Sequence, residues 1–360
     1  MHALSDSPGT QRKISLHPDP ASHQGAESRG ILLTANASRI LHALGLKSDL
    51  ASSSIQPQTR QIRSMKSGFL VAEQPLGRFI EDRYGAPVYS VAEDRLVALL
   101  DGAVRKTAVC IRPDSTPTKH PLADPASVEL TIYTSATNPR ALPGTRQIVC
   151  RSTLGPADKN LTRIVTWMGP GMQVDHFPIS AEEVAISVIC ERNHATDRGA
   201  VCLDWTQVAG LPVQMDAHPM LQDLFNNAFD FWQRDVAEPI AMEWQTDSSI
   251  CLGDAHQRLP PGLFQTTAVA IEDAWVLARF IAGYEEDLTG ALTQFETFRH
   301  PRFERLSRQA QAQGKLYRET NSWAARRRNL ALALYNRYLP EIQMQQLDWI
   351  YGYDCIKGFD

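Results

Sequence analysis

The segment from Ser249 to Ala278, SICLGDAHQRLPPGLFQTTAVAIEDAWVLA, concentrates the residues that could carry chemistry. A strand-like stretch ends at Gly253-Asp254, a proline-containing loop follows, and a helix is predicted to begin near Gln265. Backbone N–H groups at a helix start have no acceptors within the helix and favour negative charge in front of them. The segment therefore predicts a site for a ligand that bears partial negative charge.

Asp254 has two interpretations that the residues alone do not separate. Its carboxylate can accept hydrogen bonds from ribose-like or ribityl hydroxyl groups of a ligand. It can equally cap the turn, with Pro260 and Pro261 stiffening the loop, because carboxylates are common in turns. Both interpretations stay open at this point.

The elements around this segment must position it. Residues 1–29 are rich in Ser, Pro, His and Gly and lack apolar periodicity, which is typical of a disordered arm. A helix is expected to follow Asn36 as its N-cap. Five strand-length segments between Val128 and Cys190 predict an antiparallel sheet. Helical periodicity is predicted for Met220 to Arg234, Thr266 to Ala282 and Leu288 to Tyr338.

Composition and charge exclude several classes of protein. The 360 residues are 43% hydrophobic and 21% charged, which indicates a folded chain rather than a disordered or fibrous one. A formal net charge of -4 gives no reason to expect a nucleic-acid partner. The six cysteines form no C-x-x-C pair, which argues against a zinc site and fits a reducing, cytoplasmic location. We find no apolar run of about 20 residues and no secretory signal in residues 1–24, so no membrane span is expected.

The stretch from Gly253 to Ala274 resembles the second flavin fingerprint of the class A FAD-dependent aromatic monooxygenases, typified by salicylate hydroxylase. The family pattern is roughly GDAAHPMLPYLAQGAAMAIEDA. The matching positions are Gly253, Asp254, Ala255, Pro261, Gln265, Ala268, Ala270, Ile271, Glu272, Asp273 and Ala274. Other stretches agree in order: GILLTANASRILHALGL, TRIVTWMGPGMQVDHFPI, WQRDVAEPIAMEW, FETFRHPRFERLSRQAQAQGKLYR and LDWIYGYDCIKGFD are each similar to a segment of the family. The resemblance covers most of residues 30–360.

The resemblance implies an α/β fold in which an incomplete Rossmann-like FAD-binding domain is interrupted by an antiparallel β-sheet substrate domain and followed by C-terminal helices. The implied parts are a non-native or disordered arm over 1–29, the FAD-binding domain over 30–110 and 246–300, the substrate-binding sheet over 111–245, and the C-terminal helices over 301–360. FAD is the implied cofactor, and NAD(P)H, O₂ and a small phenolic or salicylate-like aromatic are the implied substrates.

The resemblance also implies roles for individual residues. The predicted cofactor-binding residues are Gly253, Asp254, Pro261, Gln265, Thr266, Thr267 and Arg95. Asp254 would contact the ribityl chain, and Pro261 would shape the pocket beside the flavin. Backbone N–H groups from Gln265 to Thr267 would stabilise negative charge on the reduced pyrimidine ring. The family has Gly at the position of Thr266, whose side chain is expected to crowd the flavin edge.

The family has a flavin-contacting arginine at the position where this chain has Ala92. Arg95 would be a displaced substitute for it. No catalytic base is assigned, because His256 lies one position from the histidine of the family and the other histidines have no acidic partner at a telling spacing. Asp101-Gly102 resembles an Asp-Gly motif of the family but follows Leu100 at once, which indicates an internal deletion. The alternative is an ordinary turn.

The G-x-G-x-x-G turn that holds the FAD pyrophosphate in the family does not occur before Gly30. Residues 1–29 lack room for a βαβ unit of about 30 residues. We therefore carry two hypotheses. The first is a FAD- and NAD(P)H-dependent aromatic monooxygenase that is truncated and inactive in this form or working without the turn. The second is a catalytically silent relative that serves as a small-molecule or protein binding module.

Overall fold

The computed structural model describes residues 13–17, 30–107, 129–133, 141–155, 161–191, 201–202, 216–237, 245–246, 249–252, 259–284 and 287–359. In chain order the strands are β1 Lys13–His17, β2 Gly30–Leu33, β3 Thr59–Ser64, β4 Leu70–Pro75, β5 Tyr89–Ala92, β6 Glu129–Tyr133, β7 Ala141–Thr153, β8 Arg163–Gly169, β9 Met172–Pro178, β10 Glu183–Glu191, β11 Val201–Cys202, β12 Ala228–Ala237, β13 Gln245–Thr246 and β14 Ser249–Cys251. The helices are α1 Ala35–Ala43, α2 Lys47–Ser53, α3 Gly77–Tyr84, α4 Glu93–Val104, α5 Pro219–Asn226, α6 Thr266–Gly283, α7 Leu288–Tyr317, α8 Ser322–Tyr338 and α9 Pro340–Tyr351, and a 3₁₀ turn covers Lys357–Phe359.

The largest sheet has eight strands in the order β11-β12-β7-β10-β9-β8-β3-β4. Its neighbours run antiparallel except for β3 and β8, which pair in parallel from Thr59↔Arg163 to Ser64↔Met168. Strands β7 to β10 fall where the strand-length segments predicted them. Strands β3 and β4 come from a part of the chain that the sequence assigned to the FAD-binding domain, and they complete one edge of this sheet.

A second sheet has the order β1-β6-β14-β13, in which β6 pairs in parallel with both β1 and β14. Strand β1 corrects, for Lys13–His17, the expectation of an arm without regular structure. Its sequence KISLH alternates polar and apolar residues, which is a strand signal too short to stand out in a polar segment. Strand β6 was expected in the substrate sheet but pairs here, because the partner of a strand is chosen by distant residues and not by its own pattern.

The helix predicted over Met220 to Arg234 is wrong in its second half. Helix α5 ends at Asn226, and β12 begins at Ala228 and pairs with β7. The aromatic residues of β12 favour a strand. Where the local apolar pattern fits both a helix and a strand, pairing with β7 stabilises the strand. In contrast, α6 over Thr266–Gly283 confirms the helix predicted there.

Two smaller expectations also need correction. Thr34, not Asn36, is the N-cap of α1, and Asn36 lies in the first turn, where its side chain is used for tertiary contacts. Asp101 and Gly102 are neither a turn nor a motif loop, because they lie inside α4. Asp101 pairs there with Arg105 one helical turn later, at 2.7 Å.

The two faces of the eight-stranded sheet pack against different elements, because side chains alternate along each strand. One face, here called the inner face, carries Ile164, Phe177 and Ala185, which join the core formed with β2, β14 and α6. The opposite face carries Trp167 and His176 and is covered by α5. None of the helices in the described ranges has the length and apolar character of a membrane span.

At Gly30, β2 packs tightly against the inner face. A Cβ added there would lie 2.3 Å from the Ala185 Cβ and 2.7 Å from the Phe177 Cε2. We predict that Gly30→Ala lowers the free energy of unfolding by about 1–3 kcal/mol through overpacking. Urea denaturation followed by circular dichroism measures this loss in the free energy of unfolding.

The matched control is Gly102→Ala in α4, where an added Cβ meets no atom of the described residues within 4 Å. There alanine should leave stability unchanged or raise it by up to about 1 kcal/mol. If Gly30→Ala were as stable as the unsubstituted chain, the close packing of β2 on the sheet would be wrong.

Candidate functional site

The loop from Leu259 to Gln265 leads into α6 and carries two of the predicted site residues. Pro261 is half-buried in this loop, and Gln265 is buried at the N-cap of α6. Phe264 has φ = 56°, in the left-handed region that a side chain other than glycine rarely adopts. Such a conformation persists only where surrounding contacts hold it. Two further predicted site residues, Gly253 and Asp254, lie outside the described residues.

The side chain of Gln265 points into the protein rather than toward its own helix. Its Nε2 donates to Thr34 Oγ1 at 2.8 Å, and its Oε1 accepts from Asn36 Nδ2 at 3.0 Å. Within the described residues no side chain caps α6, and its first turn holds no acidic residue. The N–H groups of this turn, at Thr266 and Thr267, therefore stay available to a ligand that bears partial negative charge.

A buried carboxylate one turn further along α6 fixes this arrangement. Glu272 accepts four hydrogen bonds. Its Oε1 accepts from Asn36 Nδ2 and Arg302 Nη2, each at 2.7 Å. Its Oε2 accepts from Arg302 Nε at 2.7 Å and from Arg299 Nη2 at 2.8 Å. Because Arg302 binds both oxygens, the pair is bidentate and directional.

The charges in this network are compensated. Burial disfavours the charged form of Glu272, but the Arg302 and Arg299 guanidinium groups outweigh that effect and lower the pKa of its carboxyl. Arg299 also donates to Asp273 Oδ1 at 2.6 Å. The network thus holds two arginines and two carboxylates, and α6 and α7 are locked together through it.

The C-terminal segment is tied to the same network. Arg299 Nη1 donates to the Tyr353 hydroxyl at 3.0 Å, and Arg302 Nη1 donates to the Trp349 carbonyl at 3.1 Å. Arg39 on α1 donates to the Tyr353 carbonyl at 2.8 Å. The chain end after α9 is therefore held against the helices that position the loop.

A second group of buried polar side chains, here called the inner-face cluster, lies on the sheet. It consists of Arg60 on β3, Thr166 on β8, and Gln173 and Asp175 on β9. Thr166 Oγ1 donates to Asp175 Oδ1 at 2.6 Å, and Gln173 Nε2 donates to Asp175 Oδ2 at 2.7 Å. Arg60 Nη2 lies 3.4 Å from Thr166 Oγ1. Burial raises the pKa of Asp175, and the hydrogen bond from Thr166 and the charge of Arg60 oppose that shift.

The inner-face cluster and the loop lie against each other. The Arg60 guanidinium stands over the Phe264 ring, 5.1 Å from its centroid. Phe177, next on the same face of β9, meets the Phe264 ring edge-on at 6.3 Å. Through these contacts, the loop before α6 packs against the face of the sheet that carries the inner-face cluster.

The sequence predicted the helix start and missed the inner-face cluster. Gln173 and Asp175 stand two positions apart in a strand that is buried throughout, and this alternation of polar residues in an otherwise apolar segment was the available signal. Arg95 is exposed on α4, and its role at a flavin stays a prediction. Among the described residues, no three His, Cys, Asp or Glu side chains are grouped to hold a metal ion.

We predict that Glu272→Gln destabilises the fold by about 3–5 kcal/mol, because it leaves Arg299 and Arg302 buried without their shared counter-charge. Glu304→Gln on α7 is the matched control, since that carboxylate is half-exposed and its contacts with His300 and Arg308 are on the surface. The control should change stability by less than about 0.5 kcal/mol. Equal urea midpoints for the two variants would show that the network does not hold the helices.

Several known proteins and solved structures are similar to this chain. No family model matches the chain. It is 26% identical over 368 residues to the 3-amino-4-hydroxybenzoate 2-monooxygenase PtnB3 of Streptomyces platensis, a match that covers 91% of this chain and 86% of that one. Its fold is similar to that of Klebsiella pneumoniae HpxO complexed with FAD and uric acid, with a TM-score of 0.73 at 16% identity over 94% of this chain and 96% of that one.

The structure of a salicylate hydroxylase substrate complex is also similar, with a TM-score of 0.69 at 12% identity over 97% of each chain. These similarities agree with the fingerprint before α6 and with the mixed α/β fold. In sequence and in fold, the chain is similar to FAD-dependent aromatic monooxygenases, and the class A fold fits its structure.

Proposed function

We propose that this chain binds FAD and hydroxylates a small aromatic substrate with NAD(P)H and O₂. The observation that carries the proposal is the contact of Arg60 with Phe264, which lies just before a helix start at Thr266 and Thr267 that no side chain of the described residues caps. A relative is named as a monooxygenase of an aminohydroxybenzoate, and two similar structures contain a bound aromatic or substrate. When bound, FAD would supply the redox chemistry and the activation of O₂.

The residues at the start of α6 fit the ring end of FAD. The N–H groups of Thr266 and Thr267 would hold the negative charge that a reduced flavin carries, in a geometry fixed before the reaction. Gln265 would not contact that charge through its side chain, because its amide is held by Thr34 and Asn36. It would instead set the direction of the helix start.

Other residues of the loop would shape the space around the ring. Leu259 and Leu263 are buried and would exclude water from one side, and Pro261 would stiffen the backbone beside it. The Thr266 side chain is exposed at the position where the family has Gly, so it stands where a ligand would meet the helix. Contacts of Gly253 and Asp254 with the ribityl chain, and of Arg95 with the ring, are part of this proposal.

The inner-face cluster would form the opposite wall, which holds the aromatic substrate. Phe177 and Phe264 supply apolar ring surfaces there, and Arg60 supplies positive charge. A pocket with apolar walls and a few fixed polar groups is the usual form of a small-molecule site.

The direct test is to purify the chain, add FAD and remove the excess. We expect flavin absorbance bands to remain with the protein and NADH or NADPH oxidation to rise when a phenolic acid is added, with a hydroxylated product detected by mass spectrometry. A colourless protein after FAD treatment would refute the proposal. Reduced nucleotide consumed without hydroxylated product, for every phenolic acid tried, would refute the hydroxylase part.

Gln265→Ala tests the positioning of the helix start. The substitution removes the hydrogen bonds to Thr34 and Asn36, and we expect FAD to bind about tenfold more weakly, which corresponds to about 1.4 kcal/mol. The matched control is Gln294→Ala, an exposed glutamine on α7, which should bind FAD as the unsubstituted chain does. Flavin fluorescence titration measures the FAD dissociation constants of both variants. Equal constants would show that Gln265 does not position the FAD site.

A further inference from the structure

Helix α8, over Ser322–Tyr338, carries a row of exposed apolar side chains along one face. At 3.6 residues per turn, four large side chains fall within an arc of about 80° around the helix axis. They are Trp323, Leu330, Leu334 and Tyr338, with exposed fractions of 72%, 62%, 47% and 67%. These four residues are here called the α8 stripe. A contiguous apolar surface of this kind is typical of a contact with a protein or a membrane.

The opposite face of α8 is attached to the rest of the chain. Arg328 is buried there, and its Nη1 donates to the Tyr317 carbonyl at 3.2 Å. Leu332 packs against the buried cluster that includes Tyr317 and residues of β3 and β4. Asn336 Oδ1 accepts from the backbone N–H of Glu73 on β4 at 3.1 Å. Because these contacts fix the rotation of the helix about its axis, the α8 stripe is held facing outward.

The charged residues of α8 are all cationic. Three of its arginines are exposed and lie on or beside the α8 stripe: Arg326, Arg327 and Arg337. No Asp or Glu occurs between Glu319 and Glu341. Glu341, the first acid after the helix, pairs with Arg83 at 3.6 Å. The α8 stripe therefore combines apolar side chains with positive charge that no acid of the same helix neutralises.

This combination decides between the partners that could cover the stripe. If a second copy of the chain bound there across a two-fold axis, the stripe would face itself. The arginines of the two copies would then lie close together with no acid on either helix, and like charges repel. An anionic lipid surface matches both features, because its acyl chains accept apolar side chains and its phosphate groups accept guanidinium groups.

We propose that α8 docks this protein on the surface of a bilayer that contains anionic lipids. The helix would lie in the plane of the surface without crossing it, with Leu330 and Leu334 among the upper parts of the acyl chains. Trp323 and Tyr338, at the two ends of the stripe, would lie at the level of the headgroups, where aromatic rings with a polar edge are favoured. The exposed arginines would bind lipid phosphates. The inference is independent of the proposed function, since none of these residues belongs to the candidate flavin site.

Sedimentation of the purified full chain with lipid vesicles tests the docking. One set of vesicles is phosphatidylcholine alone, and the other is equal parts of phosphatidylcholine and anionic phosphatidylglycerol. We expect the chain to bind the anionic vesicles at least about tenfold more tightly, because three exposed arginines would lie at their surface. Added salt should weaken this binding, because it screens the attraction between arginines and phosphates.

A charge variant and its control assign the preference for anionic lipid to α8. The triple variant is Arg326→Gln with Arg327→Gln and Arg337→Gln, and it should bind both kinds of vesicle equally. The matched control removes the same charge from exposed arginines of other helices, as Arg78→Gln with Arg105→Gln and Arg308→Gln. The control should keep the preference for anionic vesicles, because its arginines lie away from the α8 stripe.

An apolar variant tests the contact with acyl chains. Leu330→Gln with Leu334→Gln should weaken binding to the anionic vesicles at least about tenfold, because two apolar side chains no longer leave water. Glutamine is a good helix former, so α8 should persist. The matched control is Leu44→Gln with Val97→Gln, two side chains that are each 47% exposed outside α8, and it should bind as the unsubstituted chain does.

Trp323 reports whether α8 itself enters the lipid. We expect tryptophan emission to move to shorter wavelength when anionic vesicles are added, because the exposed indole leaves water. Trp323→Phe should lose most of this shift and still sediment with the vesicles, because phenylalanine keeps an apolar ring. Sedimentation of the unsubstituted chain without any shift in emission would contradict the proposed orientation.

Several results would overturn the inference. They are no sedimentation with the anionic vesicles, equal binding to both kinds of vesicle, and the same loss of binding in the control variants. A dimer in analytical ultracentrifugation that becomes a monomer in the double variant of Leu330 and Leu334 would also overturn it, because a second copy would then cover the α8 stripe. Circular dichroism confirms that each variant is folded, and Leu330→Ala with Leu334→Ala replaces a double variant that is not.

Discussion

The carboxylate of Glu272 is the point at which separate parts of the chain meet. It accepts hydrogen bonds from Asn36 on α1 and from Arg299 and Arg302 on α7, all within a buried environment. A buried charge of this kind is tolerated only when its partners and geometry are complete. Asn36 also binds Gln265, so the same carboxylate fixes the residue that begins α6.

This constraint also fixes the position of the helix start. Gln265 stands at the N-cap of α6, but its side chain bonds to Thr34 and Asn36 and makes no hydrogen bond to the first turn. The loop before α6 packs through its Phe264 ring against Arg60 and Phe177 of the sheet. The Glu272 network therefore has two results. It stabilises the packing of α1, α6 and α7, and it keeps the Gln265 side chain away from the N–H groups of the first turn of α6.

Local sequence patterns accounted for the parts of the fold that depend on near neighbours. The helix after Gln265 and the strands from β7 to β10 follow from local patterns of the sequence, whereas the role of Gln265 at a flavin stays a prediction. The pairing of β6 with β1 and β14 did not follow, because parallel partners far apart in the chain leave no local trace. Arg60 and Asp175 were missed for the same reason: they lie more than a hundred residues apart in the chain, and only the folded sheet makes them neighbours.

The proposed function requires that the start of α6 and the inner-face cluster border one site for a flavin and an aromatic substrate. A crystal structure of the protein grown with FAD and 3-hydroxybenzoate tests it most directly. We expect the flavin ring beside the loop of Pro261, with its pyrimidine edge toward the N–H groups of Thr266 and Thr267. We expect the aromatic acid between the flavin ring and Arg60. Electron density for the flavin or for the acid at any other place, with this cleft filled by side chains or water, would contradict it.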